Sequence, residues 1–353
     1  MRIAAVGRAL PRHRYTQDEI RGALEQMWGA NPSLISRLRT LHEHVRVETR
    51  HTALPLPEYF ELDTFGKAND AWIRCATELG QQALTEALAK AGLLPRDIDA
   101  MFTASVTGIA SPSLEAKLMN RMDLRSDMKR IPIFGLGCVA GAAGIARAAD
   151  YVRGFPDQVA VLLSVELCSL TFQREDVSIA HVISSGLFGD GAAAVVMIGE
   201  ERAKQMGLRA PRVLSMRSVF YPDTEDVMGW RISERGFELV LSAQVPVMAR
   251  EHLGPDVDRF LQSQGLTRSD IKSWVCHPGG PKVLQGMQDS LGLVEEDVRF
   301  SWQVLREQGN LSSTSVLMVL REVMDRARPK EGELGLIMAM GPAFCSELVL
   351  VRW

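Results

Sequence analysis

The sequence predicts an α/β protein built from two pseudo-symmetric halves. Three observations predict it. Strand-like and helix-like stretches alternate twice along the chain, a turn motif recurs 173 residues apart, and each half carries one helix with almost no charge. In the turn motif Leu88, Gly92, Leu93, Asp97 and Ile98 return in register as Leu261, Gly265, Leu266, Asp270 and Ile271. Each copy reads as a helix closed by glycine, a turn, and then a buried strand. We place the halves at residues 1–205 and 206–353.

The elements follow in order. Residues 1–7 read as a first strand. Residues 131–138 read as an apolar strand, a glycine turn and the start of a helix, with Cys138 at or beside the helix N-terminus. From Val139 to Ala149 eight of eleven residues are Ala or Gly, so that helix can be gripped closely on all sides. The second uncharged helix, 311–320, follows Gly309 and Asn310, and Asn310 lies 172 residues after Cys138. The two helices are therefore expected to stack between the sheets. Each half is expected to end in paired strands around a glycine turn, at 187–198 and at 334–351.

Composition bounds the function. The chain has 353 residues, 46% hydrophobic and 24% charged, with net charge −3. That suits a globular protein with a large core. Near-neutral balance without a basic run argues against nucleic-acid partners. No apolar stretch approaches the roughly 20 residues of a membrane span, and the N-terminus lacks the apolar core of a signal peptide. Five cysteines without C-x-x-C spacing suggest neither a disulfide framework nor a metal site. A reducing cytoplasm is the expected compartment.

Three residues stand out as candidates for chemistry. A helix N-terminus favours thiolate over thiol, which makes Cys138 a candidate nucleophile. The competing reading is a small core residue, which we retain for Cys75, Cys168, Cys276 and Cys345. His277 ends a strand and precedes the stiff turn Pro278–Pro281; its alternative is an exposed surface histidine. Asn310 could simply cap its helix. The repeat makes Cys138 and Asn310 equivalent and leads His277 into the same cleft. His13, His42, His44, His51, His181 and His252 show no shared spacing with carboxylates or cysteines. Residues 186–191 form a glycine-rich turn without the lysine of a phosphate loop, which we read as keeping Phe188 near the cleft.

Together these residues resemble the type III polyketide synthases, the chalcone-synthase-like branch of the thiolase superfamily. The resemblance rests on Gly137–Cys138 with its Ala/Gly helix, on Phe188–Ala194, on His277–Pro281 and on Gly309–Ser313, in the family's order and spacing. It implies a thiolase-like fold with layers α-β-α-β-α, a homodimer, an acyl-CoA starter with malonyl-CoA as extender, and no cofactor or metal. It also implies that Cys138 carries the growing chain and that His277 and Asn310 hold the enolate oxygen during decarboxylation. Phe188 matches an aromatic gate. Leu239 stands where the family has a second gate phenylalanine, and Trp230 where plant members have a small residue. Val106, Thr107, Thr171, Ser312, Met340 and Gly341 match cavity positions. Arg37, Arg39, Arg46 and Lys282 are candidates for the CoA phosphates. Ser111 is expected to reach toward the partner's cavity.

From the aliphatic Leu239 and Met340 we expect an alkyl starter and an alkyl pyrone or resorcinol product; Trp230 argues the other way. The competing functions are a ketoacyl-ACP synthase III-like enzyme making one condensation, a papain-like cysteine hydrolase with the same Cys, His, Asn order, and a non-catalytic acyl-CoA binder.

Overall fold

The computed structural model describes residues 1–29 and 31–353. The first half runs β1 (Arg2–Ala9), β2 (His13–Thr16), α1 (Gln17–Trp28), α2 (Pro32–His44), β3 (Thr49–Thr52), α3 (Phe65–Ala91), β4 (Ala100–Ala104), α4 (Leu114–Met119), β5 (Lys129–Ile133), α5 (Ala140–Gly154), β6 (Val159–Leu167), α6 (Ile179–Leu187), β7 (Asp190–Ile198) and α7 (Glu200–Gln205). The second runs β8 (Arg212–Phe220), β9 (Met228–Ser233), β10 (Gly236–Leu241), α8 (Val245–Ser263), β11 (Ile271–Cys276), α9 (Pro281–Leu291), α10 (Arg299–Gln308), α11 (Ser313–Glu322), β12 (Leu334–Gly341) and β13 (Cys345–Arg352).

Nine strands join in the order β11-β12-β13-β8-β1-β7-β6-β4-β5. In register, β1 and β8 meet only where Arg2 faces Arg212, so the sheet divides there into β5-β4-β6-β7-β1 and β11-β12-β13-β8. The two orders superpose as β4/β11, β6/β12, β7/β13 and β1/β8. Among these matched strands each half keeps one parallel pair, β4 with β6 and β11 with β12, and two antiparallel pairs, β6 with β7 and β7 with β1 against β12 with β13 and β13 with β8. Strand β5 has no counterpart in the second half.

Side chains of β7 alternate as a strand buried on both faces must. Ala193, Val195 and Met197 point to the layer holding α5 and α11, while Ala192, Ala194 and Val196 point to α3. On the other half-sheet Ile337 and Val349 face α5 and α11, and Leu336 and Leu350 face α8 and α9. This is the five-layer α-β-α-β-α stack. The small residues of α5 are required by its closeness to neighbours. A Cβ on Gly141 would lie 2.2 Å from the Ser313 carbonyl oxygen of α11, and one on Gly144 would lie 2.4 Å from Leu162 of β6.

The recurring turn is as read. Gly92 and Gly265 leave α3 and α8 with φ of 67° and 69°, and the Asp97 and Asp270 carboxylates accept from the Leu94 and Thr267 N–H groups at 2.8 and 2.7 Å. The same turn occurs a third time at Gly292 (φ 71°), where Asp297 accepts from Val294 N–H at 2.9 Å and leads into a helix.

The expectation for 187–198 is corrected. Leu187 ends helix α6, and no strand pair turns about the glycines; β7 alone runs from Asp190, between β6 and β1. Gly189 instead passes against α10's end, where a Cβ would sit 2.3 Å from the Gln308 carbonyl.

Candidate functional site

Strand β5 delivers the chain to Cys138 through Gly135 and Gly137, with φ of 92° and 55°. A side chain on Gly137 would lie 2.5 Å from the Pro342 ring, so only glycine fits. Cys138 occupies a single 3-10 turn, Gly137–Val139, that runs into α5. It is buried, and its Sγ lies 3.5 Å from the Ser312 Oγ. Burial pushes the thiol up to about 11. Ser312 itself holds a φ of 49°, backbone strain placed beside the sulfur.

His277 follows β11 and is held by its own N–H, which donates to the Met338 carbonyl at 2.9 Å. Its ring is buried, neither ring nitrogen has a partner among the described residues, and burial lowers its pKa to about 3. Asn310 is oriented on both sides of its amide. Its Oδ1 accepts from Ser312 N–H at 2.8 Å, and its Nδ2 donates to the Gly279 carbonyl at 3.0 Å. One Nδ2 hydrogen is thereby left over. The capping reading is half right, since Asn310 braces the turn into α11 from two residues before the cap position, which is Ser312.

Cys138, His277 and Asn310 line one cavity, with Phe188, Met340, Lys282 and His44 on its walls. A second chamber, also mostly apolar, lies beyond Phe188. It is walled by Ile20, Leu24 and Met27 of α1 and by Leu56, Cys168, Thr171, His181, Trp230 and Leu239. Phe188 is the one residue that lines both, among those described. The β9–β10 hairpin spans the same two spaces. Its cross-strand pair Trp230–Leu239 faces the second chamber, and its pair Met228–Leu241 faces the first.

Other predicted positions fall around this frame. Val106 and Thr107 sit behind the wall on a buried carboxylate. Glu166 accepts from Val106 N–H at 3.1 Å, Thr107 Oγ1 at 2.9 Å and Ser105 Oγ at 3.3 Å, and from Ser313 Oγ. Burial raises Glu166 to about 7 against the pull of these donors. Gly341 packs on the Cys138 turn, where a Cβ would lie 2.7 Å from the Leu136 carbonyl. Of the four cations, Lys282 lines the first cavity. Arg39 is instead paired with Glu25 at 2.7 and 3.0 Å, Arg46 stacks 5.2 Å over Trp302, and Arg37 points from the exposed face of α2. Ser111 is exposed on its loop.

The sequence reading missed Glu166, Arg50, His181 and the α1 wall. A lone carboxylate inside the otherwise uncharged strand 159–167 was a signal for Glu166. No local pattern marked the other residues.

Two family matches cover most of the chain: "FAE1/Type III polyketide synthase-like protein" over residues 56–212 and "Chalcone and stilbene synthases, C-terminal domain" over 212–353. The chain is a type III polyketide synthase of the chalcone and stilbene synthase family. It is 49% identical to the 1,3,6,8-tetrahydroxynaphthalene synthase of Streptomyces peucetius subsp. caesius, across 99% of this chain and 93% of the relative. It is 32% identical to the 3,5-dihydroxyphenylacetyl-CoA synthase of Streptomyces toyocaensis, across 100% and 90%. The crystal structure of the tetrahydroxynaphthalene synthase from Streptomyces coelicolor A3(2) matches with a TM-score of 0.91 at 31% identity, covering 100% of this chain and 99% of that one. The polyketide synthase is thus an acyltransferase that condenses CoA thioesters iteratively, as its family does with acyl-CoA and malonyl-CoA. The hydrolase, single-condensation and non-catalytic alternatives give way to it. Among the described residues no helix is long and apolar enough to cross a membrane.

Proposed function

We propose that Cys138 carries the acyl chain and that His277 and Asn310 are the oxyanion donors of the decarboxylation. One observation carries the reading: three buried residues far apart in the chain line one cavity, with ring nitrogens and an amide hydrogen uncommitted. Cys138 passes its proton to His277. Thiolate and imidazolium then stabilise each other in a site that penalises either alone. The thiolate attacks the starter thioester, CoA departs, and the acyl group stays on Sγ. Malonyl-CoA next loses CO₂. The electron pair of the broken C–C bond moves into the thioester carbonyl, and the enolate oxygen is held by His277 and the spare Nδ2 hydrogen of Asn310. The enolate carbon attacks the Cys138-bound acyl carbon; a C–C bond forms, the C–S bond breaks and the thiolate returns. Loss of one such donor costs about 10²–10³ in rate. Intact-mass spectrometry after acyl-CoA treatment tests the carrier. An adduct is expected on the wild type and not on Cys138→Ala; an adduct on both overturns the assignment.

Malonyl-CoA alone is the substrate we favour, as starter and extender, with a fused polyhydroxylated aromatic product. Support comes from the relative at 49% identity, whose named product carries oxygen on alternate carbons, the pattern left by successive two-carbon units. Trp230 on the second chamber's wall supports it by limiting length. The alkyl-starter reading is second, and the aliphatic side chains of α1 facing that chamber favour it. The test is kcat/KM for acyl-CoAs from acetyl to palmitoyl beside malonyl-CoA alone. A profile rising with chain length, at about 0.8 kcal/mol per buried CH₂, would select the alkyl reading. Full turnover on malonyl-CoA alone to a tetrahydroxynaphthalene selects the first.

The same reading makes Phe188 the gate between the CoA-side cavity and the cyclisation chamber, and Lys282 the CoA phosphate contact. It makes the enzyme a homodimer whose halves divide near residue 205. All five cysteines are unpaired, which suits the cytoplasm.

A further inference from the structure

We propose that Arg50 is a positioning residue that holds the gate Phe188 and the amide of Asn310 as one unit. The inference rests on the oxyanion role given to Asn310 above. Arg50 is 4% exposed, on β3. Its Nη1 donates to the Phe188 carbonyl at 2.7 Å, and its Nη2 donates to Gln17 Oε1 at 3.1 Å. Gln17, itself buried, donates on to the Gly186 carbonyl at 2.9 Å, at the end of the helix that leads to the gate.

The link to Asn310 is through backbone. Phe188 and Asn310 form an isolated parallel bridge: Asn310 N–H donates to the Leu187 carbonyl at 2.9 Å, and Gly189 N–H donates to the Asn310 carbonyl at 3.0 Å. The Arg50 stem covers the other side of that bridge. A Cβ on Gly309 would lie 3.1 Å from Arg50 Cδ and 2.6 Å from the Leu187 carbonyl, and Gly309 has φ 75°. The neighbouring Thr49 and Glu48 fix the segment to α10, through Thr49 Oγ1 to the Glu307 carbonyl and Glu48 N–H to the Arg306 carbonyl, both 2.7 Å. One side chain therefore grips both strands of the bridge, its head on Phe188 and its stem on Gly309.

A charge is an expensive way to fill this space. No carboxylate lies within ion-pair distance of Arg50 among the described residues, and the oxygens of Asp190, which attracts it from further away, are taken by Ala53 N–H and by Ser169. Burying a guanidinium on neutral acceptors costs more than burying a methionine. What the guanidinium supplies is a rigid fork with two donors aimed at different acceptors. Lysine has the charge without the fork.

The test compares two readouts on folded protein. One is alkylation of Cys138 by iodoacetamide, which reads the nucleophile. The other is CO₂ release from malonyl-CoA, which reads the enolate site. For Arg50→Met, which keeps the stem volume, alkylation should stay within about twofold and CO₂ release should fall about tenfold or more. Arg50→Lys should fall with it, and Gln17→Met in the same direction by less. A purely structural role lowers both readouts together with the folded fraction, followed by circular dichroism. An unchanged ratio of the two rates in folded Arg50→Met overturns the inference; if that variant does not fold, the ratio in Gln17→Met decides. Asn310→Ala is run alongside. CO₂ release retained there sinks the role of Asn310, whereas release lost there but kept in Arg50→Met sinks the positioning inference alone.

Discussion

Ala343 holds a φ of 54°, in the loop that packs against the Cys138 turn. An L-residue in that region is strained by roughly 1–2 kcal/mol. Ala343→Gly should therefore raise stability by about 1 kcal/mol, net of the freedom glycine adds to the unfolded chain, read as a shift in the denaturant midpoint; a loss would show that φ is relaxed by the loop. Glu166 carries a second residue-scale prediction. Its pKa in the fold, about 7, lies above the usual 4.5, so the folded protein binds that proton more tightly than the unfolded chain. The stability this gives is complete below about 4.5, declines as pH rises toward 7 and is gone above it. Wild type should lose on the order of 3 kcal/mol relative to Glu166→Gln between pH 4.5 and 8. A gap independent of pH contradicts it. The legibility of the site divides along the same line. Cys138, His277 and Asn310 announce themselves through glycines and prolines that only a special backbone requires. Arg50 reaches the Phe188 carbonyl, 138 residues away, and nothing beside it in the chain reports that.

At the scale of elements, α5 and α11 are the pair on which the site depends, because Cys138 precedes one and Asn310 the other. Their closeness is set by Gly141 against the Ser313 carbonyl. Gly141→Ala should force them apart at a cost of about 1–3 kcal/mol. It should also displace Ser312 and Ser313 from Cys138 and Glu166, so that CO₂ release falls by about tenfold or more. Gly154→Ala on the same helix meets nothing within 4 Å and should leave activity unchanged. Equal behaviour of the two variants would deny the helix contact its role. The Ala/Gly content of α5 made this contact readable in advance. The stretch 187–198 was misread for a reason of the same kind. Its glycines looked like a hairpin turn, but their spacing serves a crossing over the Gln308 carbonyl and a bridge to Asn310, partners supplied by the other half.

At the scale of the molecule, the two half-sheets repeat one strand order except at β5, which ends the first half-sheet with no strand beyond it. Ile131 and Ile133 are only half-buried there, and Phe134, Leu136 and the nearby Ile109 are 53, 37 and 42% exposed. An unpaired strand edge flanked by apolar side chains is a liability that a protein must cover. Pro132 interrupts the edge's donors, which opposes an open-ended ladder of many chains. A two-fold pairing closes on itself and buries the strip on both copies at once. It also brings the loop at Gly108–Pro112, which carries Ile109 and Ser111, against the partner. We therefore expect a homodimer formed across this edge, with light scattering giving twice the chain mass. Ile133→Glu and Phe134→Glu place a charge at the centre of that strip, and each should shift the enzyme to monomer with most activity lost. Wild type that is monomeric and fully active would refute the dimer, and charged variants that stay dimeric would move the interface away from β5.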